Sequence, residues 1–138
     1  MASPALVPTP RVNQVSGIVV NAAMRVHSLL GPGLLESAYQ ACPAQELRNR
    51  GLKVATQLGL PVVYDGEKLD LGYRIDLLVE NLVIVEIKCV DAIHPVHEAQ
   101  LLSYLRLSGK NVGLLINFHV ARLKDGVHRM VDGKDWEK

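Results

Sequence analysis

The sequence predicts an α/β fold, because segments with helical periodicity alternate with apolar runs of strand length. Apolar side chains recur at three- and four-residue spacing over residues 16–30, which is typical of an amphipathic helix. Continuous apolar runs over 82–89 and 111–118 are typical of buried strands. Between these runs, Pro95 at a first helical position and Gly109 at a helix end bracket a further helix.

Length and charge restrict the kind of protein that the chain encodes. A chain of 138 residues is long enough for one domain with its own core, which we place at 13–138. Residues 1–12 contain three prolines and are predicted to form a flexible lead-in. The formal net charge is +1, so no globally basic surface for nucleic acid is present. Binding to a polyanion therefore requires a local patch.

Cysteine usage and hydropathy predict a cytoplasmic protein without a membrane partner. Cys42 and Cys89 form no spaced metal or disulfide pattern, which favours reduced thiols. No apolar run approaches the roughly 20 residues that a membrane-spanning helix needs. The N-terminus also lacks the basic and apolar regions of a signal peptide.

Two helices are predicted before the first strand. The first covers residues 16–30, with Ser16 as its cap, and Gly31-Pro32-Gly33 ends it. The second covers about 34–50, and Gly51 stops it.

Pro43 lies inside this second predicted helix. An interior proline removes one helical hydrogen bond and costs about 3 kcal/mol or more. We therefore expect a kink or break near Ala41-Cys42, which would displace Glu36 at the start of the helix.

Strands are predicted where apolar runs are bounded by turn residues, at 58–64, 68–79, 82–89, 111–118 and 127–131. Asp65-Gly66 is a turn signal between the first two strands. A helix over 95–108 separates the third strand from the fourth, and Lys124-Asp125-Gly126 turns the chain into the last. This last strand is predicted to lie at a sheet edge, where it would pair across a homodimer.

Three ionisable groups lie inside the apolar strands. Asp76 occupies one strand, and Glu86 and Lys88 share one face of the next, because side chains alternate along a strand. Burying such groups is costly unless they pair or bind a metal. A structural ion-pair network is the alternative to a metal site, but buried ion pairs seldom stabilise a fold, which favours function. Two acids and a lysine suit a Mg²⁺- or Mn²⁺-dependent phosphodiesterase.

A shared site imposes a condition on the loop between the two strands. A two-residue turn at Glu80-Asn81 would pair Asp76 with Val85 and place the acids on opposite faces. A three-residue loop, most simply Glu80-Asn81-Leu82, or a β-bulge places Asp76 opposite Glu86. Asn81 tolerates the left-handed conformation that three-residue loops use.

Several motifs agree in order with those of a known family. The matching segments are Gly33-Leu-Leu-Glu36-Ser-Ala-Tyr39, Tyr73-Arg-Ile-Asp76, Val85-Glu86-Ile-Lys88, His97-Glu-Ala-Gln100-Leu-Leu-Ser-Tyr104 and Gly113-Leu-Leu-Ile-Asn117-Phe118. With these motifs the chain resembles the GxxExxY proteins, a bacterial and archaeal family of the PD-(D/E)XK nuclease superfamily, over roughly residues 16–131. The resemblance implies a restriction-endonuclease-like mixed sheet with helices on both sides.

The resemblance also implies roles for individual residues. Asp76 and Glu86 would be the metal-binding acids and Lys88 the motif lysine, and the backbone carbonyl of Ile87 is expected to complete the ligand set. Glu36 resembles an additional helical acid of the metal shell, although a first-turn acid also suits the helix dipole.

Four further residues are expected to support the site. Gln100 resembles a glutamine that assists catalysis, and Tyr104 shares its helix face; the alternative is an exposed polar stripe. Tyr39 is predicted to pack and orient a neighbour through its hydroxyl. His97 lies one turn before Gln100, where it would approach the site or simply cap the helix.

The predicted function is divalent-metal-dependent hydrolysis of phosphodiester bonds in DNA or RNA. The alternative is a non-catalytic module that binds nucleic acid or a nucleotide, or serves in a protein assembly, while keeping the nuclease fold.

Overall fold

The computed structural model describes residues 10–132, in which three helices flank a five-stranded mixed sheet. The elements are α1 (Pro10–Leu30), α2 (Glu36–Asn49), β1 (Val54–Gly59), β2 (Val62–Tyr64), β3 (Glu67–Leu69), β4 (Arg74–Val79), β5 (Val83–Lys88), α3 (Pro95–Ser108), β6 (Val112–Asn117), a 3-10 turn (Leu123–Gly126) and β7 (Val127–Val131). The sheet order is β1-β4-β5-β6-β7, and β2 pairs with β3 separately. Only the β5–β6 pair of this sheet is parallel. The predicted α/β class with a mixed sheet is confirmed.

Helix α1 is longer than the sequence pattern predicted. It begins at Pro10, so residues 10–12 of the expected lead-in are helical, and residues 1–9 lie outside the described part of the chain. Its buried face follows helical spacing from Val12 through Val26. Gly31, with φ of 67°, ends the helix as predicted, because glycine adopts this left-handed conformation without a steric penalty.

Helix α2 runs without a break through Pro43, so the break expected near Ala41-Cys42 is wrong. Pro43 is buried together with Tyr39, Ala44 and Leu47 on the face that packs into the core. Burial of this apolar face offsets the lost hydrogen bond, since tertiary packing supplies most of the stability of a helix in a protein.

The strands before Asp76 differ from the predicted ranges. The expected strand at 58–64 is divided into the end of β1 and all of β2, because Pro61 has no N–H to continue a ladder. The expected strand at 68–79 is divided into β3 and β4, where Gly72 turns with φ of 83° and its N–H donates to the Asp70 carboxylate. Asp65-Gly66 forms the predicted turn between β2 and β3.

The second half of the chain follows the predictions closely. Helix α3 covers the predicted residues, and Gly109 caps it in the left-handed conformation. Strand β7 lies at a sheet edge, also as predicted.

The sheet separates two apolar layers. One contains α1 and α2 packed on residues such as Leu77, Val85 and Leu114. The other contains α3 packed on residues such as Ile84 and Leu115. Helices therefore cover both faces of β5, which leaves Glu86 only 4% exposed. Within residues 10–132, no helix has the length and hydropathy of a membrane span.

Candidate active site at the β4–β5 strand pair

The loop between β4 and β5 has the three-residue form that a shared site requires. Val79 pairs with Val83, so Glu80, Asn81 and Leu82 form the loop. Asn81 has φ of 55°, in the predicted left-handed region, and Glu80 joins it there with φ of 53°. This register places Asp76 opposite Glu86, as the longer loop predicted, and excludes the two-residue turn.

The Asp76 and Glu86 carboxylates each accept a hydrogen bond from a backbone N–H of the neighbouring strand. The Asp76 backbone N–H donates to Glu86 Oε2 at 2.9 Å, and the Ile87 backbone N–H donates to Asp76 Oδ2 at 2.8 Å. Paired strand residues extend along β4 and β5 only as far as Leu77 and Val85. Beyond this point, carboxylate oxygens accept the hydrogen bonds that a neighbouring strand would otherwise accept. Each acid is thereby oriented by the backbone of the other strand.

The environment of Glu86 disfavours its ionised form. Burial raises the pKa of Glu86, the nearby Asp76 carboxylate raises it further, and the result is about 8. The Asp76 N–H and the Lys88 ammonium act in the opposite direction, but more weakly. A buried acid beside a second acid needs a proton or a cation, so a bound cation would take the place of the proton that Glu86 otherwise holds.

Lys88 ends β5 two residues after Glu86 and is half-buried. Its backbone carbonyl accepts a hydrogen bond from the Phe118 N–H at 2.9 Å, which anchors the end of β5 to the segment after β6. Asn117 reinforces this anchor, since its side chain bonds both the N–H and the carbonyl of Val90. The lysine therefore projects from a fixed strand end.

Glu36 is the first residue of α2 and is exposed. Tyr39 fixes the preceding loop: its hydroxyl donates to the Gly31 carbonyl and accepts from the Leu34 N–H at 3.2 Å. The ring of Tyr39 is fully buried and stacks on Phe118 with centroids 4.6 Å apart. Tyr39 thus packs and orients a neighbour, and it acts on the loop that leads into Glu36.

Gln100 and Tyr104 lie together on α3, where the Gln100 amide donates to the Tyr104 hydroxyl at 3.3 Å. Burial raises the pKa of the Tyr104 hydroxyl, and the charges of Glu86 and Asp76 raise it further. Tyr104 is buried, so this face of α3 is not simply an exposed polar stripe. His97 instead caps α3, because its Nδ1 accepts from the His94 N–H at 3.0 Å.

Two glutamines that the sequence did not single out contact Asp76. Gln40 Nε2 lies 3.4 Å and Gln57 Nε2 lies 3.3 Å from Asp76 Oδ1. Gln40 follows Glu36 by four residues, and this helical spacing is a signal that places both side chains on one face of α2. No comparable signal marks Gln57, since its place beside Asp76 depends on the pairing of β1 with β4.

The oxygen-rich donor set suits a hard divalent cation such as Mg²⁺ or Mn²⁺. Asp76 and Glu86 supply carboxylates from adjacent strands, and the Gln40 amide separates Glu36 from Asp76, with Nε2 3.4 Å from an oxygen of each. Within residues 10–132, no three acidic, histidine or cysteine side chains are arranged closely enough to hold an ion as they stand. The donor chemistry fits a metal, and Glu36 joins the set only with a side-chain movement.

Comparison with known proteins addresses the family to which the chain belongs. No curated protein and no solved structure matches the chain. The sequence profile of the PD-(D/E)XK nuclease superfamily matches residues 13–130, a span that contains every site residue predicted above. The match covers most of the chain and includes both strands of the carboxylate pair. The chain belongs to the PD-(D/E)XK nuclease superfamily.

Proposed function

We propose that the protein is a divalent-metal-dependent nuclease whose substrate is DNA or RNA. The observation that carries this proposal is a pair of hydrogen bonds across the two strands, from the Asp76 N–H to Glu86 Oε2 and from the Ile87 N–H to Asp76 Oδ2. Both lie at a point where backbone pairing of the two strands has stopped. Two adjacent acids, one of them buried, reduce the stability of the metal-free fold, and membership of a nuclease superfamily supplies the reason to keep them.

The residues present would hold a Mg²⁺ or Mn²⁺ ion through Asp76, Glu86 and the Ile87 carbonyl, with Glu36 added after its side chain moves. The bound ion would act as a Lewis acid on the phosphate and lower the pKa of a water molecule. Lys88 would orient or deprotonate that water and place positive charge beside the phosphate oxygens. Gln100 would orient the Tyr104 hydroxyl through the hydrogen bond between them.

We further propose membership of the GxxExxY family, on the motif that links Gly33, Glu36 and Tyr39. The structure gives this motif a physical role, since Tyr39 bonds the loop that begins at Gly31 and so fixes the start of α2 before Glu36. A cytoplasmic location, the single domain over 13–138 and pairing of β7 across a homodimer stay predictions of the sequence.

The proposed activity is tested with labelled single- and double-stranded DNA and RNA, incubated with Mn²⁺, Mg²⁺ or EDTA. We expect metal-dependent cleavage that falls by about 10²–10⁴-fold in Lys88→Met, the range for loss of a group that assists proton transfer. Asp76→Asn keeps an oxygen that accepts from Ile87 and should lose cleavage at least as severely.

Lys68→Ala removes an exposed lysine of β3 and is the matched control, which should cleave like the natural protein. Equal cleavage by Lys88→Met, Asp76→Asn and Lys68→Ala would refute the assignment of the active site.

A non-catalytic module is the second candidate, and one observation favours it. Within the described residues, no ready-made three-ligand metal site exists, because Glu36 is exposed and separated from Asp76 by an amide. Binding of Mn²⁺ by the natural protein, without turnover on any of the four nucleic acids, would select this alternative.

A further inference from the structure

Gln40 of α2 and Gln57 of β1, together the amide pair, converge on one oxygen of the candidate active site. Both side-chain nitrogens contact Asp76 Oδ1, at 3.4 Å from Gln40 and 3.3 Å from Gln57. The other carboxylate oxygen, Oδ2, accepts from the Ile87 N–H. Hydrogen-bond donors on three elements therefore fix the plane of the Asp76 carboxylate.

The NH₂ groups of the amide pair have an acceptor for each of their hydrogens. An ionised carboxylate only accepts hydrogen bonds, so each amide must present its NH₂ group to Asp76. Gln57 uses its second hydrogen for Gln40 Oε1 at 3.5 Å, and Gln40 uses its own for Glu36 Oε2 at 3.4 Å. Each NH₂ group thus makes two contacts, and the chain of contacts runs from Gln57 through Gln40 to Glu36.

The backbone of Gln57 is held in an unfavourable conformation. Gln57 has φ of 50°, although Thr56 and Leu58 on either side pair normally with Leu77 and Ile75 of β4. Left-handed backbone is rare for a residue with a long side chain, and such conformations persist where surrounding structure enforces them, often at functional sites. Gln57 occupies the register position across from Asp76, so the strained residue is the one that contacts the acid.

Gln40 lies between two like charges. Its nitrogen is within 3.4 Å of Glu36 Oε2 and of Asp76 Oδ1, so the amide hydrogens occupy a place between two carboxylates where positive charge is favourable. We propose that the amide pair positions Asp76 for the divalent cation, with Gln57 orienting Gln40. This inference rests on the proposed function, because it names residues that act through the metal-binding acids.

The amide pair also lines a cleft of about 340 Å³ between α2 and β1. The cleft provides a matched control, because Gln45 lines it from the same helix as Gln40. Gln45 is exposed, and its amide donates to Asn49 at 2.8 Å rather than to an acid. A change at Gln45 alters the same surface with no effect on the Asp76 carboxylate.

The test measures the dissociation constant of Mn²⁺ by calorimetry on the full chain, for the natural protein, Gln40→Met, Gln57→Gly and Gln45→Met. Loss of a group that orients a metal ligand typically weakens metal binding by about 10–100-fold. We expect weakening in this range for Gln40→Met and Gln57→Gly, and a change of less than about threefold for Gln45→Met.

Thermal unfolding in EDTA distinguishes a positioning role from a structural one. Glycine accepts a φ of 50° without strain, so Gln57→Gly should unfold at an equal or higher temperature than the natural protein while it binds Mn²⁺ less tightly. Weaker Mn²⁺ binding without a loss of thermal stability would indicate that Gln57 positions the metal ligand and does not stabilise the fold.

The possible failures are distinguishable. Natural protein that binds Mn²⁺, with Gln40→Met and Gln57→Gly binding equally well, would overturn the role of the amide pair and leave the proposed function standing. Weaker binding accompanied by a matching loss of thermal stability in both variants would also overturn it in favour of a structural role. Absence of Mn²⁺ binding by the natural protein would overturn the proposed function itself.

Discussion

At the scale of single residues, Glu86 suits a metal site but lowers the stability of the metal-free fold when it ionises. It is buried in the middle of the sheet, beside Asp76, and burial raises its pKa to about 8. The metal-free fold therefore holds a proton on Glu86 at neutral pH. Because the unfolded chain releases that proton near pH 4.5, stability from this residue is present below pH 4.5 and is lost as the pH rises through about 8.

Replacement of Glu86 by glutamine isolates this effect. Glu86→Gln keeps an oxygen that accepts from the Asp76 N–H but carries no charge, so the variant should lack this pH dependence. In EDTA, the free energy of unfolding of the variant minus that of the natural protein should increase as the pH rises from 4.5 to 8. The increase should be up to about 1.4 kcal/mol per pH unit. Urea unfolding at several pH values measures the difference. Parallel pH profiles for the two proteins would show that Glu86 is not the group responsible.

The individual residues of the candidate site differ in how readily the sequence predicts them. Asp76, Glu86 and Lys88 stand out because ionisable groups are costly inside apolar strands. Gln40 has a signal in its four-residue spacing from Glu36. Gln57 has no such signal, because a left-handed backbone is unusual for a glutamine inside a strand. Its role depends on the pairing of β1 with β4, which places it across from Asp76.

At the scale of elements, turn residues predicted the loop between β4 and β5 better than apolar runs predicted the limits of the strands. The three-residue loop of Glu80, Asn81 and Leu82 was predicted from the requirement that two acids meet, and the register agrees. The limits of β1 to β4 were predicted poorly, because apolar character continues across Pro61 and Gly72 while backbone pairing does not. Pro43 failed as a helix breaker because burial of its helix face outweighs the local cost.

The 3-10 turn before β7 provides a prediction about close packing. A Cβ atom at Gly126 would lie 2.2 Å from the Asn117 backbone oxygen, and this close approach leaves no room for a side chain. Gly126→Ala must shift the backbone near the end of β6, so we expect destabilisation by about 1–3 kcal/mol, the usual cost of overpacking. Thermal or urea unfolding measures it.

Gly17→Ala is the control for that substitution and should have the opposite sign. Gly17 is an exposed residue of α1, and a Cβ atom there would meet nothing within 4 Å. Alanine in a helix interior is favoured over glycine by about 0.5–1 kcal/mol, so this variant should be more stable than the natural protein. Destabilisation by Gly17→Ala, or none by Gly126→Ala, would contradict the packing described here.

At the scale of the whole molecule, two apolar layers support an acidic pair that the fold alone does not need. A cation that binds the folded state and not the unfolded chain raises the free energy of unfolding. Mn²⁺ at 100 times its dissociation constant should add about 2.7 kcal/mol relative to EDTA. Unfolding of Asp76→Asn in the same two buffers is the control, and it should show little change. A shift of equal size in both proteins would place the ion elsewhere.

The order of elements and the helices on both faces were predictable from the sequence as a whole. Apolar runs, capping residues and the family resemblance each indicate the same α/β sheet, and the match to the superfamily over residues 13–130 agrees with them. The turn between β2 and β3 was predictable, but the separation of this pair from the main sheet was not, because it depends on which strands join the main sheet and not on any local pattern.

The position of Tyr104 gives the protein a built-in optical reporter. Its ring makes an edge contact with Tyr73 at a centroid distance of 6.1 Å. Burial raises the pKa of the Tyr104 hydroxyl, and the charges of Glu86 and Asp76 raise it further. A cation that neutralises those acids would loosen the hydroxyl proton and lower the pKa of Tyr104. In alkaline buffer, where tyrosine hydroxyls titrate, the ultraviolet absorbance of the Tyr104 phenolate would then increase as Mg²⁺ binds, with no label and no substrate.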